Sequence, residues 1–72
     1  MSVIDRDLLN LKIKRANTTN DAVAKELGVD RSTFYRHVRE GTLTVAEMQG
    51  IVKILHLSLD DSIKIFLAPE VA

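Results

Sequence analysis

The segment from Thr19 to Arg39, TNDAVAKELGVDRSTFYRHVR, constrains this chain more than any other. It holds two short helix-compatible stretches either side of Gly28, each preceded by a residue that can cap it. Thr19 can cap a helix from Asn20 to Leu27, in which Ala22, Val23 and Leu27 fall on one face. Gly28 supplies a left-handed residue at no steric cost, Val29 a buried contact in the turn, and Asp30 the cap of the next helix. The turn is therefore three or four residues long, which is the spacing of a helix-turn-helix. In its second helix Phe34 and Val38 lie four apart and point inward. Arg31, Ser32, Tyr35, Arg36 and Arg39 are left wholly or partly outward, a set with the chemistry to enter a groove.

Seventy-two residues allow one domain, residues 1–72, with a small core, so loops must be short and helices closely packed. There is no cysteine, which excludes disulfides and thiolate metal ligands, and two histidines, His37 and His56, are too few for a metal site. No apolar run approaches the ~18 residues of a spanning helix, so the expectation is a cytoplasmic protein that engages no membrane. Formal charge is zero, which is unusual for a small nucleic-acid binder because phosphate neutralisation supplies most non-specific affinity. The charge is unevenly placed, however. Residues 12–39 carry seven basic and three acidic side chains, the chain from Glu40 onward has a net charge of −3, and the first eleven residues −1. The expected molecule is neutral in sum and electrically polar.

Helix signals recur along the rest of the chain and strand signals are nearly absent. Ser2 with Asp5 three residues later predicts a capped helix running to about Ala16. At about 100° per residue, Ile4, Leu8 and Leu11 fall on one side of it and Leu9, Ile13 and Ala16 on an adjacent one. That apolar surface is wider than one core stripe needs, so it serves either several neighbours in a small bundle or a partner. Gly41 ends the third helix, and Thr42-Leu43 leads to Thr44, which with Glu47 forms the T-x-x-E capping box of a fourth. Val45, Met48, Ile51, Val52 and Leu55 are its core stripe, with Gly50 a weak point or a close-contact point. Ser58 caps a fifth helix to about Phe66, with Asp60 and Asp61 at its positive end and Ile63, Phe66 and Leu67 closing the core. Pro69 stops regular structure, and a tail from about residue 68 to 72 is expected to be loose. The predicted fold is all-α, a compact five-helix domain.

Each singled-out residue has a plainer role beside the functional one. Phe34 is core rather than a stacking platform, and His37 and His56 are helix-end residues, where a positive charge is favoured. Asp60 and Asp61 invite an acid–base reading, yet their place in a first helical turn is accounted for by the helix dipole. No nucleophile, base and orienting group assemble from what remains. The chain therefore reads as a binding protein and not an enzyme, with no cofactor, no metal and no small-molecule substrate. One exposed arginine is usually only solvated, but three on one short helix behind a capped turn point to binding.

The segment from Thr19 to Gly41, followed by a capped helix and a short terminal one, resembles the helix-turn-helix domain of the Cro and lambda-repressor type. FYRHVREGTLTVAEMQGIV and the ending IKIFL look more narrowly like small regulators of temperate phages of Gram-positive bacteria, among them antirepressors that act with the phage repressor. The resemblance covers nearly the whole chain. It implies a lambda-repressor-like fold in a bacterial host, with the third helix in the major groove reading bases through Arg31, Ser32, Tyr35 and Arg36. Arg31 and Arg36 can each offer guanine O6 and N7 a bidentate pair, good for about 1–3 kcal/mol of discrimination. Asn20 matches a phosphate-binding position, and Thr19 and Arg39 are further backbone candidates. The third helix is one residue longer before its glycine than the family pattern, which leaves the placement of His37 and Arg39 open.

Two functions follow, from different classes. In one, the chain is an antirepressor that binds and inactivates or modulates a phage repressor, with or without DNA, using its arginines as interface anchors. In the other, it is a stand-alone Cro-like repressor binding operator DNA, as a dimer on paired half-sites. Leu8, Leu11, Phe66 and Leu67 are either an apolar interface, including that of a homodimer, or part of the core. Neutral charge with spare apolar surface tips the reading toward the antirepressor.

Overall fold

In the computed structural model, which describes residues 4–67, every helix begins on a side-chain oxygen. Asp5 accepts from the Leu8 N–H at 3.0 Å and opens α1 (Arg6–Arg15). Thr19 accepts from Ala22 at 3.1 Å for α2 (Asn20–Leu27), and Asp30 from Ser32 at 3.1 Å for α3 (Arg31–Glu40). Thr44 accepts from Glu47 at 3.0 Å for α4 (Val45–Leu55), while the Glu47 carboxylate accepts the Thr44 N–H at 2.8 Å and completes the box. Ser58 accepts from Asp61 at 3.1 Å for α5 (Leu59–Phe66). These oxygens satisfy N–H groups that no intrahelical carbonyl can reach. The described residues contain no strand, so the fold is all-α with five helices.

Helix ends close in a common way. Gly28 and Gly41 take φ of 73° and 70°, as expected, and the following residues donate back to the last turn, Val29 to the Ala24 carbonyl and Thr42 to that of His37. Asn17 and His56 adopt the same left-handed conformation, at φ of 56° and 52°, and Thr18 and Leu57 make the equivalent bonds to Ile13 and Val52. In all four cases a left-handed residue satisfies carbonyls that the helix leaves open. A side chain there is strained by about 1–2 kcal/mol, which Asn bears more easily than His.

The core consists of Leu9, Ile13, Val23, Ala24, Phe34, Leu43, Ile51, Leu55, Ile65 and Phe66. α2 packs on α3 and α4, and α1 on α5, and one core joins all five helices, within which Phe34, Ile51 and Ile65 have no exposed surface. The Asp5 N–H donates to the Ile65 carbonyl at 2.9 Å, and Lys12 pairs with Asp61 at 2.9 Å, so α1 is tied to α5 at two points. The radius of gyration, 11.3 Å, matches the ~11 Å of a compact chain of this length.

Several expected positions move. The cap of α1 is Asp5 and the helix starts at Arg6; Ser2, expected to cap it, lies outside the described residues, as do Pro69 and the tail. On α1 the stripe of Leu9 and Ile13 is buried, Leu8 is half-buried against the core, and Leu11 is exposed. On α2 the buried alanine is Ala24 and Ala22 is half-buried, while Leu27 reaches across to the backbone of Gly50. A Cβ on Gly50 would meet the end of the Leu27 side chain, so any larger residue there requires Leu27 to shift. Val45, expected in the α4 stripe, is 65% exposed because the first helical residue lies ahead of the α2 contact; Leu43, read only as a connector, is buried instead. On α5 the inward residues are Ile65 and Phe66. Ile63 and Leu67, expected to close the core, are 47% and 71% exposed, because the inward face, which keeps Phe66, is rotated by about 100°, one residue, from the one the sequence suggested. No helix among the described residues is long and apolar enough to cross a membrane.

Candidate functional site

The outward face of α3 follows from how α3 is anchored. Phe34 is fully buried, Val38 packs on the core, and at about 100° per residue these two leave Arg31, Ser32, Tyr35, Arg36 and Arg39 facing solvent. All five are exposed, and with Asp30 they line a shallow groove along the helix. The sequence reading and the structure agree on which side chains this face presents.

His37 holds the back of that face. Its Nδ1 lies 3.0 and 3.1 Å from the two Glu47 carboxylate oxygens and donates to them, linking α3 to the first turn of α4. Glu47, the only charged or polar residue buried among those described, thus accepts from both His37 and the Thr44 N–H. Burial pushes the Glu47 carboxyl up, but the Thr44 N–H and the His37 ring together outweigh that and hold it below the ordinary value. The sequence showed Glu47 as a capping residue and His37 as a helix-end residue. Their meeting across ten positions had no periodic signal.

Asp21 is the residue the sequence reading did not single out. It stands in the first turn of α2, beside the N-terminus of α3, and its Oδ1 forms an ion pair with Arg31, 3.3 Å from Nε, and accepts from the Tyr35 hydroxyl at 3.4 Å. The Arg31 guanidinium also lies 5.9 Å from the centre of the Tyr35 ring, and the Tyr35 ring meets Phe34 edge-on. Two of the predicted reading residues therefore engage each other and a carboxylate. A second cleft runs past this cluster, between the end of α1 and the starts of α2 and α3, lined by Lys14, Thr19, Asn20, Asp21, Arg31 and Tyr35 among others.

The remaining predicted residues divide by what already occupies them. The Ser32 hydroxyl donates to Asp30, which that bond holds below the ordinary carboxylate range, and its oxygen still can accept. The Thr19 oxygen is engaged by the Ala22 N–H, which leaves the hydroxyl proton to donate outward. Asn20 is half-buried, and its side-chain amide reaches Asn10 on α1 at 3.5 Å. Arg39 sits 4.0 Å from Glu40, at the limit of an ion pair, and Arg36 pairs with no acid among the described residues. The face is thus zwitterionic at the start of α3 and basic toward its end.

Of the apolar candidates, Phe66 is buried in the core and Leu8 is half-buried against it, so neither is a free surface. Leu11 and Leu67 are exposed. Leu59 and Ile63 on α5 and Leu67 at its C-cap, spaced four apart, form an outward apolar row flanked by the Asp60–Lys64 ion pair at 3.0 Å. The described residues contain no cluster of acids and histidines able to hold a metal ion. Compared with family models, curated proteins and solved structures, the chain finds no match in any of the three.

Proposed function

We propose that the chain is a transcriptional regulator whose working surface is the outer face of α3, and that it acts as an antirepressor, binding a phage repressor and inactivating or modulating it with or without DNA. The observation that carries this reading is the exposed set Arg31, Ser32, Tyr35, Arg36 and Arg39 behind a capped turn, presented by a helix whose other side is locked into the core. Neutral net charge argues against phosphate as the main target, because an unaided DNA binder draws most of its affinity from excess positive charge. Arginine forks suit carboxylates on a protein partner as well as they suit bases. The exposed row Leu59, Ile63 and Leu67 adds apolar surface of the kind protein interfaces desolvate.

A second reading, a stand-alone Cro-like repressor, is favoured by one observation: Arg36 is exposed and carries no acidic partner among the described residues, so it can reach a guanine. Titration against the cognate repressor and against switch-region DNA, each at two salt concentrations, separates the two. The antirepressor reading expects a stable complex with the repressor, release of that repressor from its operator, and weak, sequence-blind DNA binding by the purified protein alone. Nanomolar binding to a palindromic operator by the protein alone, falling steeply with salt, overturns it.

A further inference from the structure

We infer that Asp21 is a specificity determinant that works against nucleic acid at the start of α3 and so reserves this face for a protein partner. The inference rests on the proposal that the α3 face is the interaction surface, and it adds the element that decides between classes of partner.

Three observations carry it. Asp21 Oδ1 lies 3.3 Å from Arg31 Nε and 3.4 Å from the Tyr35 hydroxyl, so one carboxylate engages two of the side chains best placed to read a groove. Both partners of the ion pair remain more than half exposed, with 70% of the Arg31 side chain and 54% of the Asp21 side chain open to solvent. The pair is therefore not a buried structural tie. Its place is also specific: the cluster sits where α3 begins, at the end that a helix-turn-helix directs toward bases, while Arg36 and Arg39 lie further along.

The electrostatic consequence follows from distance. A phosphate or base acceptor reaching Arg31 comes within a few ångströms of Asp21, well inside the ~10 Å over which charges are felt at 0.1 M salt. It meets a cation whose charge is offset by a carboxylate anchored on the first turn of α2. The Arg31 terminal nitrogens stay available, but the net charge they offer an anion is near zero. A protein surface bears both signs and can place a cation against Asp21 and a carboxylate against Arg36, whereas a nucleic-acid backbone has only one sign to offer. Selectivity of this kind comes from a repulsive element built against the wrong partner.

The test measures binding of a fluorescein-labelled, mixed-sequence DNA duplex by anisotropy across a salt series, for the wild type, Asp21→Asn, Asp21→Asn with Arg31→Ala, and Glu26→Gln. Glu26 is an exposed acid on the same helix that forms no ion pair with Arg31, and its neutralisation gives an identical change in net charge. Asp21→Asn is expected to bind duplex about two- to fivefold more tightly than the wild type at low salt, the scale of one exposed ion pair gained. Its salt slope should steepen by about one unit, one added phosphate contact. Arg31→Ala in that background should return binding to the wild-type level, and Glu26→Gln should gain less than twofold. An Asp21→Asn affinity within twofold of the wild type, or an equal gain from Glu26→Gln, overturns the inference. Circular dichroism checks the fold, and Asp21→Ser serves as the second variant if Asn perturbs it. The wild-type arm is read separately: tight, salt-sensitive operator binding by the unaltered protein defeats the antirepressor reading, whatever the ratio between variant and wild type says about Asp21.

Discussion

Glu47→Gln isolates the most consequential polar group in the fold. The Glu47 carboxylate accepts the Thr44 N–H at 2.8 Å and the His37 ring nitrogen at 3.0 and 3.1 Å, with 7% of the residue exposed. Oε1 accepts from both the Thr44 N–H and the His37 ring, so glutamine can keep those two bonds, but it loses the negative charge and places an NH2 donor where Oε2 lies 3.1 Å from His37 Nδ1. The loss is one hydrogen bond to a charged group, about 1.5–3 kcal/mol. Glu47→Ala removes both, leaves two donors without partners, and should cost about 3 kcal/mol or more. For a chain of this length, whose whole stability is about 4–11 kcal/mol, either change is a large fraction.

Urea unfolding followed by circular dichroism measures it, and pH supplies a second axis. The Glu47 carboxyl is held below the ordinary 4.5 in the folded protein. A depressed carboxyl contributes stability that is complete above the unfolded value and is lost as pH falls through the folded one. The gap between wild type and Glu47→Gln should therefore be full at neutral pH and narrow below about pH 4.5, as the carboxylate itself takes up a proton. A double-mutant cycle with His37→Ala should show coupling of at least about 1 kcal/mol. An unchanged gap at acid pH, or coupling near zero, would refute the view that this charge joins α3 to α4.

Other expectations test packing and backbone. Ile65→Ala should cost about 2–5 kcal/mol in urea unfolding and Leu67→Ala no more than about 0.5, since the first is fully buried and the second 71% exposed; equal costs would mean α5 is rotated relative to the arrangement described. His56→Gly should raise stability by up to about 1 kcal/mol by relieving the left-handed φ of 52°, and a drop in the melting temperature would count against that strain. Gly50→Val should destabilise by about 1–3 kcal/mol because its side chain needs the space Leu27 occupies, and a neutral result in the same assay would show that Leu27 moves aside freely. Phe34→Ala, at a site with no exposed surface, should cost about 3–5 kcal/mol and leave the protein largely unfolded on warming, as a thermal melt would reveal.

Local chemistry made much of this architecture readable from the chain. Thr19, Asp30, Thr44 and Ser58 cap the helices they were expected to cap, and Gly28 and Gly41 end theirs, because caps and left-handed turns depend on side chains within a few residues. The exposed face of α3 was legible for the same reason, since burying Phe34 and Val38 determines which residues point away. Periodicity alone misplaced the inner face of α5: Ile63 and Leu67 fit an apolar stripe as well as Ile65 and Phe66 do, and only the position of α1, held through Asp5 and Lys12, selects between them. Val45 and Leu43 exchanged roles because burial at a helix start depends on where the neighbouring helix passes. Sequence by itself determined the five helices, their ends apart from the start of α1, and the side chains α3 presents. Tertiary structure decided what those side chains touch: His37 meeting Glu47, and Asp21 meeting Arg31 and Tyr35, are contacts between groups ten or more positions apart, and the packing angle between helices, which no local pattern encodes, brings them together.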